Sequence, residues 1–281
     1  MDRLAAASVD QQVSLLFVAL FGLLLLVSAG TVLWSVRETD AARAARRAEF
    51  RSDLRAVWIG ALVFWIAWIS GPTGATLTVG LFAFFALREF ITLAHTRRGD
   101  HRGLILAFFV VLPLQFVFVG LRSFDLFSVF IPVYVFLAIP VVSALAGDPE
   151  RFLERNAKIQ WGIMVCVYGL SHLPALLLLD LPRYDDRGAF LIFFLVVVAA
   201  AAQIVQGLAS RWLRRRPLAR HIDRSFSARA FGAGVAAAAL LGAALWWITP
   251  FDAARAAAMA ALAGGAGTLG DLVMRALKKD A

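Results

Sequence analysis

The residues of this chain that could do chemistry are concentrated towards its C-terminus, between and beside apolar segments. The segment 211–229 carries the densest positive charge in the sequence, namely Arg211, Arg214, Arg215, Arg216, Arg220, Arg224 and Arg229. Guanidinium groups bind phosphate oxygens through paired N–H donors. Alternatively, these arginines hold the segment against anionic lipid headgroups. The residue types leave both interpretations open.

Asp271 is the carboxylate that most needs an explanation. It lies near the end of an apolar segment, where a charged group is costly unless it is paired, hydrated or functional. Arg275 stands four residues later, so on a helix the two side chains can form an i,i+4 ion pair. Asp271 is therefore either a functional residue or one half of a local salt bridge.

Structural roles are also favoured for four of the other polar side chains in apolar segments: Glu89, His172, Gln203 and Gln206. Glu89 follows Arg88, so the two charges neutralise each other or extend to the membrane surface. His172 is expected to be hydrogen-bonded within the protein. The two glutamines can form hydrogen bonds between helices.

Apolar segments of membrane-spanning length must position these residues. Of 281 residues, 61% are hydrophobic and 17% charged, and the mean hydropathy is +0.77. A water-soluble core could not cover that much apolar surface, and each spanning helix needs about 20 apolar residues. The sequence predicts an all-α, polytopic membrane bundle of about nine transmembrane helices. Their expected ranges are 13–36, 54–70, 75–94, 104–121, 126–146, 161–181, 189–210, 230–248 and 254–276.

Lysine and arginine alternate between rich and poor connections along the chain. When basic residues at segment ends are counted with the adjoining connection, 22 fall on one side, 5 on the other, and Arg88 is the remaining one. Since positive connections stay in the cytoplasm, the N-terminus is predicted outside and the C-terminus inside. This asymmetry explains the formal net charge of +9 without a nucleic-acid partner, and none is expected. The single cysteine, Cys166, excludes an intramolecular disulfide and a cysteine-rich metal site.

Three motifs stand out in the C-terminal half. They are Ile159-Gln160-Trp161-Gly162 through Ser171-His172-Leu173-Pro174-Ala175-Leu176; Phe193-Phe194-Leu195-Val196-Val197-Val198, leading to Gln203 and Gln206; and Gly270-Asp271-Leu272-Val273-Met274-Arg275-Ala276-Leu277-Lys278-Lys279-Asp280. Together they resemble the bacterial phosphatidate cytidylyltransferases, the CDP-diacylglycerol synthases of phospholipid synthesis. The last is similar to the opening of the family's terminal signature, and Arg88-Glu89-Phe90 also fits. The resemblance is strongest over 148–281, and we interpret 1–281 as one transmembrane domain.

The resemblance implies a reaction between a lipid and a nucleotide. In the family, the phosphate of phosphatidic acid attacks the α-phosphorus of CTP, releasing pyrophosphate and leaving CDP-diacylglycerol. The resemblance further implies Mg²⁺ as the cofactor with Asp271 as a ligand, since Mg²⁺ prefers carboxylate oxygens. It assigns substrate binding to Arg224, Ser225, Arg229 and Lys278, and no catalytic residue. The implied partners are membrane lipid, phosphatidic acid and CTP, in the cytoplasmic (inner) membrane of a bacterium.

The chain departs from the family pattern at several positions. The family has an aspartate where Gln203 stands. It also has a Ser-Pro-x-Lys-Thr run where this chain has 223–227, with Asp223 at the leading position and Phe226 in place of the lysine. The sequence stops at Ala281, before the remaining carboxylates of the terminal signature. Because loss of one electrostatic stabiliser typically lowers a rate by about 10²- to 10³-fold, weak activity is expected.

These departures leave three hypotheses open. The first is an enzyme that makes CDP-diacylglycerol from CTP and phosphatidic acid. The second is a catalytically inactive relative that binds lipid or a partner protein in the membrane. A transporter ranks last, because no inverted repeat or pair of broken helices is evident. Small residues in 230–248 and 254–276 permit a homodimer.

Overall fold

Helices make up the regular structure of the described part of this chain. The computed structural model describes residues 69–94, 96–181, 187–212, 217–223 and 226–280, together with 14, 18, 21, 22, 25, 29, 55, 58–63 and 65–67. Within that part of the chain the only extended pairing is an isolated bridge between Ala219 and Asp223. The predicted all-α class is therefore confirmed for the described residues. The helices are α1 Trp58–Ala67, α2 Gly71–Leu93, α3 Arg98–Gly120, α4 Phe124–Ala144, α5 Phe152–Leu177, α6 Gly188–Trp212, α7 Ala228–Ala244 and α8 Ala253–Asp280.

Six of these helices, α2 to α6 and α8, are long and apolar enough to cross a membrane. The chain is therefore a multi-pass membrane protein, as predicted. The expected range 13–36 lies largely outside the described residues, although the six positions described between 14 and 29 are helical. α5 begins at Phe152, well before the expected start of its range, because the charged residues of its first turns are paired rather than solvated in a loop. α7 is shorter than expected, and a 3₁₀ turn, Trp246–Ile248, follows it.

The chain reverses between α1 and α2 at Gly71. The φ of Gly71 is +68°, in the left-handed region that favours glycine. Ala67 of α1 and Ala75 of α2 belong to the same buried core, so the two helices fold back on each other. Residues of α2, α3, α4 and α5 complete this first core. A second core lies between α6, α7 and α8, and Leu177 at the end of α5 packs against both.

Prolines in α4 create hydrogen-bond acceptors that α5 uses. A proline lacks a backbone N–H, so the carbonyl four residues before it loses its helical donor. Pro132 frees the carbonyl of Ser128, which accepts from the Tyr168 hydroxyl at 3.1 Å. The same arrangement occurs two turns further along, where Pro140 frees the carbonyl of Phe136, which accepts from Gln160 Nε2 at 2.8 Å. Because hydrocarbon offers no alternative donors, these bonds fix α4 against α5.

Small residues allow α6, α7 and α8 to approach one another closely. A Cβ added to Gly234 of α7 would lie 2.5 Å from the carbonyl oxygen of Ala202 in α6. A Cβ on Gly264 of α8 would lie 2.7 Å from Ala238 Cβ and 2.9 Å from Ala202 Cβ. The three helices therefore pack backbone against side chain without space for a larger residue.

Replacing Gly234 with leucine is expected to destabilise this trio by about 1–3 kcal/mol, the usual cost of overpacking. Gly232 is the matched control, because it lies two residues away on the same helix and an added Cβ meets nothing within 4 Å. Thermal unfolding in detergent, followed by size-exclusion chromatography with fluorescence detection, measures the difference. Equal midpoints for Gly234→Leu and Gly232→Leu would show that the close contact is absent.

Several connections meet at one end of the bundle. Arg102, at the start of α3, donates to the carbonyl of Leu145 after α4 at 3.2 Å. Lys279, at the C-terminal end of α8, donates to the carbonyl of His221 at 3.0 Å. This bond holds the segment 217–223 against the end of α8. At the opposite end, Arg122 and Asp180 form an ion pair between the residues that follow α3 and α5.

A buried arginine joins two of these connections, the one between α2 and α3 and the one between α4 and α5. Arg155 of α5 has a side chain only 4% exposed, and its Nε donates to Oδ1 of Asp100, which is 1% exposed, at 2.7 Å. Its Nη1 donates to Asp148 Oδ2 at 2.6 Å and to the carbonyl of Glu150 at 2.8 Å. A Cβ on Gly99 would lie 3.0 Å from Asp148 Oδ2 and 3.1 Å from Arg155 Nη2, so a small residue is needed there.

Through Asp148, the contribution of this cluster to the stability of the fold depends on pH. The backbone N–H of Glu150 and the Arg155 guanidinium hold the pKa of the Asp148 carboxyl below its ordinary range. A carboxyl whose pKa is lowered by folding stabilises the fold. Its full contribution is present at pH values above its pKa in the unfolded chain, about 4, and is lost as the pH falls through its pKa in the folded protein. The melting temperature in detergent should therefore fall on acidification below about pH 4. Asp148→Asn should flatten that part of the profile, and an unchanged acid slope in this variant would contradict the assignment.

Candidate active site

The last turns of α8 carry charged residues that contact the basic connection before α7. Asp271, Arg275 and Lys279 recur at intervals of four residues and so share one side of the helix. Arg275 Nε donates to Asp271 Oδ2 at 2.8 Å, which is the i,i+4 salt bridge that the sequence offered as an alternative. Arg275 Nη1 also lies 3.7 Å from Oδ2 of Asp223. One guanidinium therefore stands between two carboxylates.

A tight turn places Asp223 beside α8. The backbone N–H groups of Ile222 and Asp223 both donate to the carbonyl of Ala219, at 2.8 and 2.7 Å. Leu218 N–H donates to the carbonyl of Phe226 at 2.9 Å, which closes the turn at its base. Phe226 itself is buried and packs against Phe231 of α7, with the ring centroids 5.8 Å apart. The residue in place of the family's lysine thus anchors the turn instead of facing a substrate.

Gln203 of α6 lies close to the same region. Its Nε2 is 3.4 Å from the carbonyl oxygen of Gly267, which is one turn before Asp271 on α8. Gln206 is one turn further along α6, and its buried Nε2 has no hydrogen-bond partner among the residues described. His172, by contrast, is hydrogen-bonded within α5, as predicted, since its Nδ1 donates to the Tyr168 carbonyl at 2.7 Å.

The structure describes three of the five predicted site residues. Arg224 and Ser225 lie outside the described residues. Arg229 is exposed on the first turn of α7. Asp271 is paired with Arg275, and Lys278 is exposed beside a groove. Of the five predicted site residues, only Asp271 belongs to the charged cluster of Asp223, Asp271 and Arg275, hereafter the carboxylate cluster.

A groove of about 400 Å³ opens between α2, α5 and α8. Its walls are apolar and are formed by Phe82, Ala86, Phe90, Leu93, Ala94, Val165, Cys166, Leu170, Met274 and Leu277. Glu89, Lys158 and Lys278 provide its charged groups, and they lie at the end of the bundle where α2 ends, α5 begins and α8 ends. Lys158 Nζ also donates to Glu154 at 2.9 Å. Lys278 lines the groove, and Asp271 and Arg275 belong to the carboxylate cluster. All three lie on the last turns of α8, so the groove and the cluster are near each other.

Sequence comparisons identify the family to which this arrangement belongs. The cytidylyltransferase family profile matches residues 53–281. The chain belongs to the cytidylyltransferase family. It is also 32% identical over 230 residues to a protein of Escherichia coli (strain K12) described as "Uncharacterized protein YnbB", covering 79% of this chain and 73% of that protein. No solved structure matches the chain.

Family membership confirms the resemblance predicted from the sequence. The resemblance implies a Mg²⁺ ion, for which the carboxylate cluster is the candidate site. Asp271 Oδ2 and Asp223 Oδ2 lie 2.8 and 3.7 Å from nitrogens of the same guanidinium, so Arg275 occupies the space between the two carboxylates. Mg²⁺ is usually held by one or two carboxylates together with waters and substrate phosphates. Across the described residues no group of three or more His, Cys, Asp or Glu side chains is assembled. The pair would therefore hold a metal ion only after the Arg275 side chain had moved from between the carboxylates, and it does not form a complete protein cage.

Two parts of this cytidylyltransferase-family site were not predicted from the sequence. Asp223 was identified only as a substituted position, and its contact with Arg275 joins residues that lie far apart in the chain. Glu89 and Lys158 were not connected with Lys278, although all three line one groove. The available signal was their position, since each lies near an apolar segment end predicted to face the same side of the membrane.

Proposed function

We propose that this chain is a membrane cytidylyltransferase that converts CTP and phosphatidic acid to CDP-diacylglycerol and pyrophosphate. The observation that carries the proposal is the position of two features on the last turns of α8. A groove with apolar walls and lysines at one end lies near a charged cluster in which Arg275 bridges the carboxylates of Asp271 and Asp223. Family membership supports the nucleotide half of the reaction.

The chemistry requires charge stabilisation more than covalent catalysis. An oxygen of the lipid phosphate forms a bond to the α-phosphorus of CTP, the bond from that phosphorus to the bridging oxygen breaks, and pyrophosphate leaves with the electron pair. When bound, Mg²⁺ would neutralise charge on the phosphate oxygens. Asp271 and Asp223 would hold it once the Arg275 guanidinium had moved from between them, and Arg275 would then donate to phosphate oxygens instead. Arg229, with Arg224 and Ser225 nearby in the sequence, would bind phosphate oxygens from the basic segment.

We further propose nine transmembrane helices, with the N-terminus outside and the C-terminus in the cytoplasm of a bacterium's inner membrane. The eight helices α1 to α8 and the helical positions between 14 and 29 support that count. The groove's lysines, the buried Arg155 cluster and the end of α8 all lie at one end of the bundle, which supports a cytoplasmic location for that end. CTP is present on that side, so lipid and nucleotide would meet there.

Membranes from cells that express the full chain test the proposal. With radiolabelled CTP and added phosphatidic acid, label should enter chloroform-soluble lipid above the level of empty-vector membranes, and the product should run as CDP-diacylglycerol. Incorporation equal to the empty vector would overturn the catalytic proposal and favour the inactive lipid- or partner-binding relative.

A further inference from the structure

We propose that the groove between α2, α5 and α8 is the binding site of the acceptor lipid. Its occupant would be a single phospholipid of the cytoplasmic leaflet that carries a terminal phosphate, with the phosphate on Lys278 and Lys158 and an acyl chain along the apolar wall. The identity of the lipid as acceptor rests on the proposed function. The existence of the site rests on the shape and charge of the groove.

The length of the groove matches one leaflet. On α2 the lining extends from Phe82 to Leu93, and a helical rise of 1.5 Å per residue makes this about 16 Å. Half of a hydrocarbon core of about 30 Å is about 15 Å. Along this length the lining side chains are apolar except for Glu89 near the charged end. An acyl chain would bury apolar surface against such a wall, whereas a polar nucleotide would not.

The charged end of the groove fits one phosphate. Lys158 and Lys278 come from different helices, and Lys278 has no ion-pair partner within the residues that the structure describes. Glu89 places one negative charge at the same end, and Glu154 pairs with Lys158 at 2.9 Å, so Lys278 is the lysine of the groove whose charge no ion pair offsets among the described residues. Two ammonium groups can bind the oxygens of a terminal phosphate through charge-assisted hydrogen bonds. The carboxylate disfavours accumulation of further anions.

The position of Lys278 would bring the lipid phosphate close to the nucleotide. Asp271 and Lys278 are seven residues apart on α8, which corresponds to about 10 Å along the helix axis. Viewed along the axis, seven residues make nearly two whole turns, so the two side chains lie on similar sides of α8. A phosphate on Lys278 would therefore lie within reach of a nucleotide bound at the carboxylate cluster.

Variants that fill or neutralise the groove test the inference in the full chain reconstituted in lipid. Ala86→Trp fills the groove from α2, and Lys158→Gln with Lys278→Gln removes its positive charge. The control is Val141→Trp, an exposed position on α4 outside the lining of the groove. We expect KM for phosphatidic acid to rise about tenfold or more in the groove variants, the size of a lost charged contact, while KM for CTP stays within twofold. Val141→Trp should change neither.

Photolabelling separates this inference from the proposed function. A diacyl phosphate lipid with a photoreactive acyl chain should label the peptides that contain Val165 and Met274, and phosphatidic acid should compete better than phosphatidylethanolamine. Labelling of these peptides in a chain without transferase activity would retain the lipid site and reject the proposed function. Labelling elsewhere, preference for phosphatidylethanolamine, or an unchanged KM for phosphatidic acid in both groove variants would overturn the inference. The double lysine variant keeps the test decisive if Ala86→Trp fails to fold.

Discussion

Asp271→Asn is expected to lower kcat for cytidylyl transfer by about 10²- to 10³-fold, the usual effect of removing one electrostatic stabiliser of a transition state. Asparagine keeps the size of the side chain and an oxygen that can accept from Arg275, but it removes the negative charge that a metal ion requires. Initial rates in the purified, reconstituted chain at saturating CTP and lipid measure the effect. The melting temperature should change little, because the Asp271–Arg275 pair is nearly half exposed and such pairs contribute about 0–1 kcal/mol.

The matched control is Asp252→Asn at the start of the same helix. Asp252 caps α8 by accepting from the N–H of Arg255 at 2.7 Å, and asparagine caps a helix about as well. Asp252→Asn should keep wild-type activity. If Asp271→Asn also kept it, Asp271 would be only half of a local salt bridge, the alternative that the sequence left open.

Arg155→Met is expected to destabilise the fold by about 3–5 kcal/mol, because removing one partner of a buried ion pair leaves the other charge without compensation. The charge left without compensation is that of Asp100, because its carboxylate is 1% exposed and accepts from the Arg155 guanidinium at 2.7 Å. Thermal unfolding in detergent or unfolding by increasing SDS in mixed micelles measures the loss. Little folded protein is expected at physiological temperature.

A second change distinguishes the charge effect from a packing effect. Asp100→Asn in the Arg155→Met background removes the buried charge, so it should recover part of the lost stability. Arg155→Lys should lie between the wild type and Arg155→Met, because lysine keeps the charge but cannot donate to Asp100 and Asp148 through a planar fork. Additive effects of the Asp100 and Arg155 changes would contradict the assignment of a coupled pair.

Local spacing explains which parts of this fold could be predicted from the sequence. The apolar segments that became α2 to α6 and α8 are long enough to be recognised from hydropathy alone. The Asp271–Arg275 pair was predictable because four residues make about one turn of a helix. Family membership was predictable from the third motif and its neighbours, and the match over residues 53–281 confirms it.

Contacts between distant connections could not be predicted. Arg155 and Asp100 are 55 residues apart, and nothing in the period of either segment indicates which connection lies beside which. The early start of α5 at Phe152 follows from that same contact, since paired charges continue the helix beyond its apolar range. For the same reason Asp223 was not assigned to Arg275, and the groove was not recognised. Each depends on the packing of helices rather than on local pattern.

Product analysis with the purified chain tests the central claim most directly. The full chain is reconstituted in liposomes that contain phosphatidic acid, and CTP labelled at the α-phosphate is added with Mg²⁺. CDP-diacylglycerol and pyrophosphate should form in equal amounts, with product formation lost in Asp271→Asn and retained in Asp252→Asn. Unchanged CTP, or pyrophosphate released without any nucleotide-bearing lipid, would contradict the account.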